Sequence, residues 1–254
     1  MNLRIKHFVA FVTFLTLLSC EEKKQKLYKI EAKQLQIVDT IVELDSINEF
    51  IKPYTQSINA FLDKTLAYAP RTITKEDGKY NTSAGNLIAD IIIEQANPIY
   101  KKRTGKEIDF VLLNHGGIRS AISKGDVNIR TAYEVMPFEN TIVVVELPAK
   151  SVMNMIHYLI KSKRKHPFSG LQIVLDKESN LSSVNVKEKP FDQNKNYIVA
   201  TSNYLLNGGD QMNFFEDRLN LVDTDYKIRN AMIDYFIKKD TIAPIIDNRF
   251  MKLN

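Results

Sequence analysis

Apolar residues recur along this chain with two different periods, and the switches between them mark its elements. The stretch SAGNLIADIIIEQANPIYKK, from Ser83, places Leu87, Ile88, Ile91, Ile92 and Ala96 at spacings of three and four. That is the apolar stripe of an amphipathic helix, with Ser83 standing where an N-cap is wanted. PAKSVMNMIHYLIK, with Pro148 suited to its first turn, and TDYKIRNAMIDYFIKK read as two more helices. Asp45 can cap a further one through SINEFIKPYTQSINAFLDKTL, which Pro53 kinks or interrupts. Residues 108–113 (IDFVLL) and 141–147 (TIVVVEL) are continuous apolar runs and read as buried strands. LQIVLD, LSSVNVKEK and NYIVATSNYLL follow as three strands in succession, and LAYAPRTIT as a short extended piece. Residues 27–42 alternate irregularly and suggest another strand, while the tail DNRFMKLN can close as an edge strand. No repeat or low-complexity tract interrupts the pattern. Uneven alternation with three consecutive strands predicts an α+β fold, a mixed β-sheet packed with helices, rather than a strictly parallel sheet.

The first twenty residues have a different character. Arg4 and Lys6 precede an apolar run from Phe8 to Leu18, then Ser19 and Cys20, the chain's one cysteine. The run is shorter than the ~20 residues a bilayer span needs, and a basic start with a short apolar core reads as an export signal. Leu17-Leu18-Ser19-Cys20 resembles the lipobox of bacterial lipoproteins, which implies cleavage before Cys20 and lipidation of its thiol. A signal peptide at 1–19, a solvated tether at 20–26 and a folded body at 27–254 are expected. The product would be exported and held at a membrane through its lipid anchor, on the periplasmic or the cell-surface side. A single cysteine allows no intrachain disulfide. With 44% hydrophobic and 26% charged residues the body is globular, long enough for one sizeable core or two small ones. Of the 35 Lys and Arg, Arg4 and Lys6 belong to the signal, leaving 33 against 30 acidic groups, too mild a balance to point to nucleic acid. The basic tract Lys161, Lys163, Arg164, Lys165 follows an amphipathic run and reads as a solvated helix end.

Three short segments bear chemistry. Asn114-His115-Gly116-Gly117-Ile118-Arg119 ends an apolar strand: paired glycines let backbone approach a ligand, and the guanidinium fork beyond matches phosphate or carboxylate. Met136-Pro137-Phe138-Glu139-Asn140 sets an aromatic on a proline-fixed turn before a strand, and Tyr204-Leu205-Leu206-Asn207-Gly208-Gly209-Asp210 enters a glycine turn followed by a carboxylate. Singly, each is ordinary turn chemistry or a core aromatic. Together, two aromatics at strand ends have the faces to sandwich a nucleobase.

In order, SAGNLIAD, NHGGIRSAISKGDV, MPFENTIVVVELPAK, SGLQIV and YLLNGGDQMNFF resemble the C-terminal domain of the 5'-nucleotidase family, which includes periplasmic UDP-sugar hydrolases and 2',3'-cyclic-nucleotide phosphodiesterases. The resemblance covers roughly residues 70–220. It implies an α+β domain that grips a nucleoside between two rings and presents it to a separate metallophosphatase domain. It assigns substrate contacts to Asn114 and Arg119 with Gly116 and Gly117 of their turn, stacking to Phe138 and Tyr204, sugar-hydroxyl contacts to Asp210 in the turn of Asn207 and Gly209, and a backbone contact near the base to Gly170. The family's usual second arginine is missing before the long helix, where Lys79 or Arg71 are the replacements at hand.

The family's metal-binding D-x-H, G-N-H and G-H-T-H segments are absent, and no nucleophile motif offers another mechanism. His157 in its helix reads as packing or interfacial, His166 before Pro167 as solvent-exposed, and His115 as within reach of a ligand. The expectation is a nucleotide-binding subunit of a split 5'-nucleotidase, with no cofactor of its own and no hydrolysis alone. Divalent metals would belong to a separately encoded metallophosphatase partner. The alternative is a nucleotide- or nucleoside-binding surface lipoprotein with no hydrolase role.

Overall fold

The computed structural model describes residues 3–17, 26–38 and 41–253, and the chain divides into two units, residues 1–50 and 51–254. Cys20 and the tether residues 20–25 lie outside the described residues. The first unit contains helix α1 (Leu3–Leu17) and the start of α2 (Asp45–Leu62), which begins at the expected Asp45 and retains Pro53 within it. Among the described residues no helix is long and apolar enough to cross a membrane. The strand expected over 27–42 is absent from its described residues, which are exposed throughout. Irregular alternation gives that segment no continuous apolar face, so no sheet edge gains by pairing with it.

The second unit follows as β1 (Thr65–Ala69), α3 (Ser83–Thr104), β2 (Phe110–Leu112), β3 (Gly125–Asn128), α4 (Ile129–Val135), β4 (Thr141–Pro148), α5 (Ala149–Lys161), β5 (Phe168–Ser169), β6 (Leu171–Leu175), β7 (Leu181–Val186), β8 (Lys189–Pro190), β9 (Asn196–Ser202), α6 (Asn203–Leu206), β10 (Asn220–Lys227), α7 (Ile228–Lys238) and β11 (Phe250–Lys252). The predicted α+β class with mixed sheets is what forms. A five-stranded sheet has the order β10-β4-β9-β2-β5, a four-stranded one β11-β6-β7-β8, and β1 pairs with β3. The tail strand β11 is the expected edge, parallel to β6.

The continuous apolar runs are explained by burial on both faces of the larger sheet. Ile142, Val144, Ile198, Ala200 and Val111 point into a core shared with Leu87, Ile88, Ile91 and Ile92 of α3 and Met232 and Phe236 of α7. Val143, Val145, Leu147, Val199, Phe110 and Leu112 alternate with them and pack on Val152, Met155 and Ile156 of α5 and Ile173 of β6. Each such side chain contributes roughly 1.5–3 kcal/mol on burial, so register is strongly specified, because a one-residue slip would exchange the two faces.

Several boundaries differ from the pattern's indications. Thr82, not Ser83, caps α3: its hydroxyl accepts from the Gly85 N–H at 3.1 Å, and the Ser83 hydroxyl turns instead to Asp77 and Thr74. Thr224–Lys227 extend β10 rather than opening α7, since Thr224 hydrogen-bonds the Ile142 carbonyl at 2.7 Å across the sheet. Pro148 closes β4 and precedes α5 instead of sitting within it. Asn203–Leu206 form a helical turn, α6, where a strand was expected to continue, because the Ser202 hydroxyl caps the Leu205 N–H at 3.2 Å.

The strand directions decide where the chemistry falls. β2 runs parallel to β9, with Phe110 beside Val199, while β4 is antiparallel to β9, with Ile142 beside Ser202. β5 is antiparallel to β2, with Leu112 beside Phe168. The C-terminal ends of β2 and β9 and the entrances to β4 and β5 therefore all lie at one end of the sheet.

Gly170 lies past the exit of β5, towards the opposite end. Its φ is +80°, and a Cβ there would stand 2.6 Å from the Asp109 carbonyl oxygen. Gly170→Ala is expected to lower unfolding free energy by about 1–3 kcal/mol in chemical denaturation; an unchanged midpoint would show that no close approach exists there.

Candidate functional site

At the end of β2 the chain passes through Asn114 into a tight turn over His115–Gly117. The Asn114 side chain lies across both glycines: a Cβ on Gly117 would fall 3.0 Å from its Oδ1, and one on Gly116 3.4 Å from its Nδ2. Arg119 is anchored through its N–H to the Val135 carbonyl at 2.9 Å, leaving its guanidinium exposed, 5.8 Å from the Phe138 ring centroid. The Phe138 turn is held from below by α7. Buried Arg229 donates to the Pro137 carbonyl at 3.1 Å and pairs with Glu139, and the Ile228 N–H donates to the Asn140 carbonyl at 3.0 Å. Hydrogen bonds from Lys227 and Arg229 hold the Glu139 carboxyl down to about 2. Phe138 itself remains 41% exposed, which a core aromatic would not be.

Tyr204, on α6, is 44% exposed. Its ring rests on Gly209, where a Cβ would come within 2.5 Å of the ring, and its hydroxyl donates to Asp210 Oδ1 at 3.3 Å. Asp210 adopts the left-handed region at φ 51°, with its carbonyl accepting from the Tyr158 hydroxyl at 3.0 Å. Its Oδ2 is buried and has no hydrogen-bond partner among the described residues. A buried carboxylate oxygen without a donor is costly.

These turns enclose one cavity of about 340 Å³. Seven of the ten residues singled out from sequence line it: Asn114, Gly116, Gly117, Arg119, Phe138, Tyr204 and Asp210. Asn207 and Gly209 shape the turn beneath without lining the cavity. Gly170 borders a different cavity of about 320 Å³, beside Arg249. Neither suggested replacement cation is present: Arg71 bonds the Pro244 carbonyl, and Lys79 lies over the Tyr80 ring at 5.1 Å. Two lining residues were missed, Asn140 and Arg164. Arg164 comes from the tract read as a solvated helix end. The signal that would have found it is the antiparallel pairing of β5 with β2, which carries residues 162–167 to the site.

The same pairing buries His166, expected to be exposed but only 3% accessible. The Leu113 N–H donates to the Pro167 carbonyl at 2.8 Å, drawing the strap inward. His166 Nδ1 accepts from the His115 N–H at 3.3 Å, so the neutral ring carries its proton on Nε2, 3.1 Å from the Ser162 hydroxyl. Burial, helped by His115 and Arg164 and opposed by Asp210, pushes its pKa down to about 4. His115 is likewise lowered, by burial and then Lys75. His115 does not line the cavity, and His157 is exposed on α5. Among the described residues no three His, Cys, Asp or Glu side chains group so as to hold a metal ion.

Fold and cavity define an α+β domain that presents two aromatic faces, a guanidinium fork and a carboxylate at one end of its sheet. Residues 62–217, more than half of the chain, match the family model for the 5'-nucleotidase C-terminal domain, and the chain belongs to that family. It is 26% identical over 193 residues to Protein UshA of Yersinia enterocolitica, covering 74% of this chain and 34% of that one. With Protein UshA of Escherichia coli it shares 30% over 145 residues, 55% of this chain and 25% of the relative. The chain thus spans a quarter to a third of these curated relatives. The solved 5'-nucleotidase precursor of Thermus thermophilus superposes with a TM-score of 0.68 at 26% identity, over 83% of this chain and 43% of that one.

The buried imidazole gives a pH prediction. Its folded pKa lies below its unfolded value of about 6.5, so its contribution is complete above that value and is lost as pH falls towards 4. Stability should drop by up to roughly 3 kcal/mol between pH 7 and 4, a window above that of Glu139. Urea titrations of His166→Gln should show a flatter dependence over this window; an identical slope would show that His166 is not the titrating group.

Proposed function

We propose that this chain is the nucleotide-gripping part of a 5'-nucleotidase system, with phosphate-ester hydrolysis supplied by a separately encoded metallophosphatase. One observation carries the proposal: Phe138 and Tyr204, both left exposed, share a cavity with Arg119 and with Asp210. A base stacks on aromatic faces with about 1–3 kcal/mol per ring. Ribose hydroxyls match the Asp210 carboxylate, and the Arg119 fork matches a phosphate. Tyrosine in place of the family's usual phenylalanine keeps the stacking face and steadies the carboxylate.

Assigning hydrolysis to a separate chain rests on the chemistry of the cavity, whose lining of aromatic, amide, guanidinium and single carboxylate groups is suited to binding. When bound in a partner domain, divalent metals would activate a water and neutralise the phosphate; the residues here bind and orient. The proposal includes export as a lipoprotein anchored through Cys20, resting on the basic start, the apolar run to Leu18 and the lipobox-like ending.

Thermal-shift titration against AMP, UMP and their nucleosides tests the binding step. Stabilisation is expected, about 2.7 kcal/mol at one hundred times Kd, with Phe138→Ala weakening binding roughly 5- to 150-fold. Absence of any shift in the unaltered chain would sink the proposal. Adding the chain to a separately produced family metallophosphatase should raise metal-dependent phosphate release. Binding without such a gain would favour the receptor alternative.

A further inference from the structure

We infer that Arg164 is a second anion-binding arm of the cavity and makes it select for phosphate charge, nucleotides over nucleosides and diphosphates over monophosphates. This rests on the nucleotide reading of the site and adds a residue that lies outside the motifs carrying the family resemblance.

Of the four cations Lys161, Lys163, Arg164 and Lys165 at the end of α5 and beyond it, Lys161 and Lys163 are exposed, Lys165 pairs with Glu76 at 3.4 Å, and only Arg164, itself exposed, lines the cavity. Its guanidinium makes no ion pair among the described residues, and neither does that of Arg119, whose one hydrogen bond is to the Gly116 carbonyl at 3.4 Å. Two guanidinium groups with a single carboxylate, Asp210, leave an excess of positive charge at the wall of one cavity. Arginines that answer no protein acid present their planar forks to a ligand.

The backbone beneath Arg164 is fixed rather than loose. Its N–H donates to the Ser162 hydroxyl at 3.1 Å, and its carbonyl accepts from the His166 N–H at 3.1 Å. His166, buried, reaches from Ser162 to the backbone of the Asn114–Arg119 turn, and Pro167 is bound to Leu113. The strap bearing one guanidinium is thereby joined to the turn bearing the other. A chain end free in solvent would have no such ties. Arg164 thus supplies, from a different loop, the second cation for which Lys79 and Arg71 are misplaced.

The experiment is a ladder of calorimetric Kd values for nucleoside, monophosphate and diphosphate, in adenine and uracil series, on the full chain and on Arg164→Gln and Arg164→Lys. In the unaltered chain affinity should climb at each phosphate. Arg164→Gln should lower diphosphate affinity by roughly 10- to 100-fold while nucleoside affinity and the unliganded melting temperature stay unchanged, and Arg164→Lys should recover part of the loss. A ladder equally steep in Arg164→Gln overturns the assignment while leaving the nucleotide reading intact. An equal loss of nucleoside affinity also overturns it, since that marks a structural role. An unaltered chain that binds no member of either series overturns both.

Discussion

The parallel pairing of β2 with β9 is the constraint on which the site depends. Asp109 secures it from both sides: its N–H donates to the Ile198 carbonyl at 2.7 Å, and its carboxylate accepts from the Ile198 N–H at 2.8 Å. Two strands 89 positions apart are thereby set in one direction and one register. With β4 and β5 antiparallel to them, four loops distant in sequence open at the same end. Apolar burial on both faces of the sheet makes any other register costly, so precision at the cavity is inherited from packing well away from it.

The side chains facing the cavity are held by a second set that does not reach it. Arg229, almost wholly buried, pins the turn of Phe138 through Pro137 and Glu139 while lying 4.0 Å from the Tyr133 ring centroid. Tyr158 fixes the Asp210 carbonyl, and the Tyr204 hydroxyl steadies its carboxylate. His166 joins the strap to the glycine turn and stays neutral because it is buried. Such support lets two rings remain exposed at the cavity wall without collapsing on one another.

Much of this was legible in the sequence, and the omissions have physical causes. Apolar runs on strands buried on both faces and the stripe of α3 follow from local rules and yielded the class of fold, while the ordered motifs and the resemblance they carry yielded seven cavity residues. Strand order does not follow from local rules. The antiparallel β5–β2 pair, only two residues long in β5, moved Arg164 into the site and His166 out of solvent. Gly170 lies outside that cavity and borders another, and its positive φ and the nearness of the Asp109 carbonyl are what require glycine there. Thr82 displaced Ser83 as cap because Asp77 and Thr74 engage the serine hydroxyl, a competition invisible in spacing alone.

A crystal structure of the chain with its tightest-binding nucleotide would test the central claim most directly, that one cavity clamps a flat base between Phe138 and Tyr204 and holds its acidic tail with arginine. The account predicts the base between those rings, a ribose hydroxyl on Asp210 and phosphate on Arg119. A base seated elsewhere, for instance in the cavity beside Gly170 and Arg249, with both rings uncovered, would contradict it.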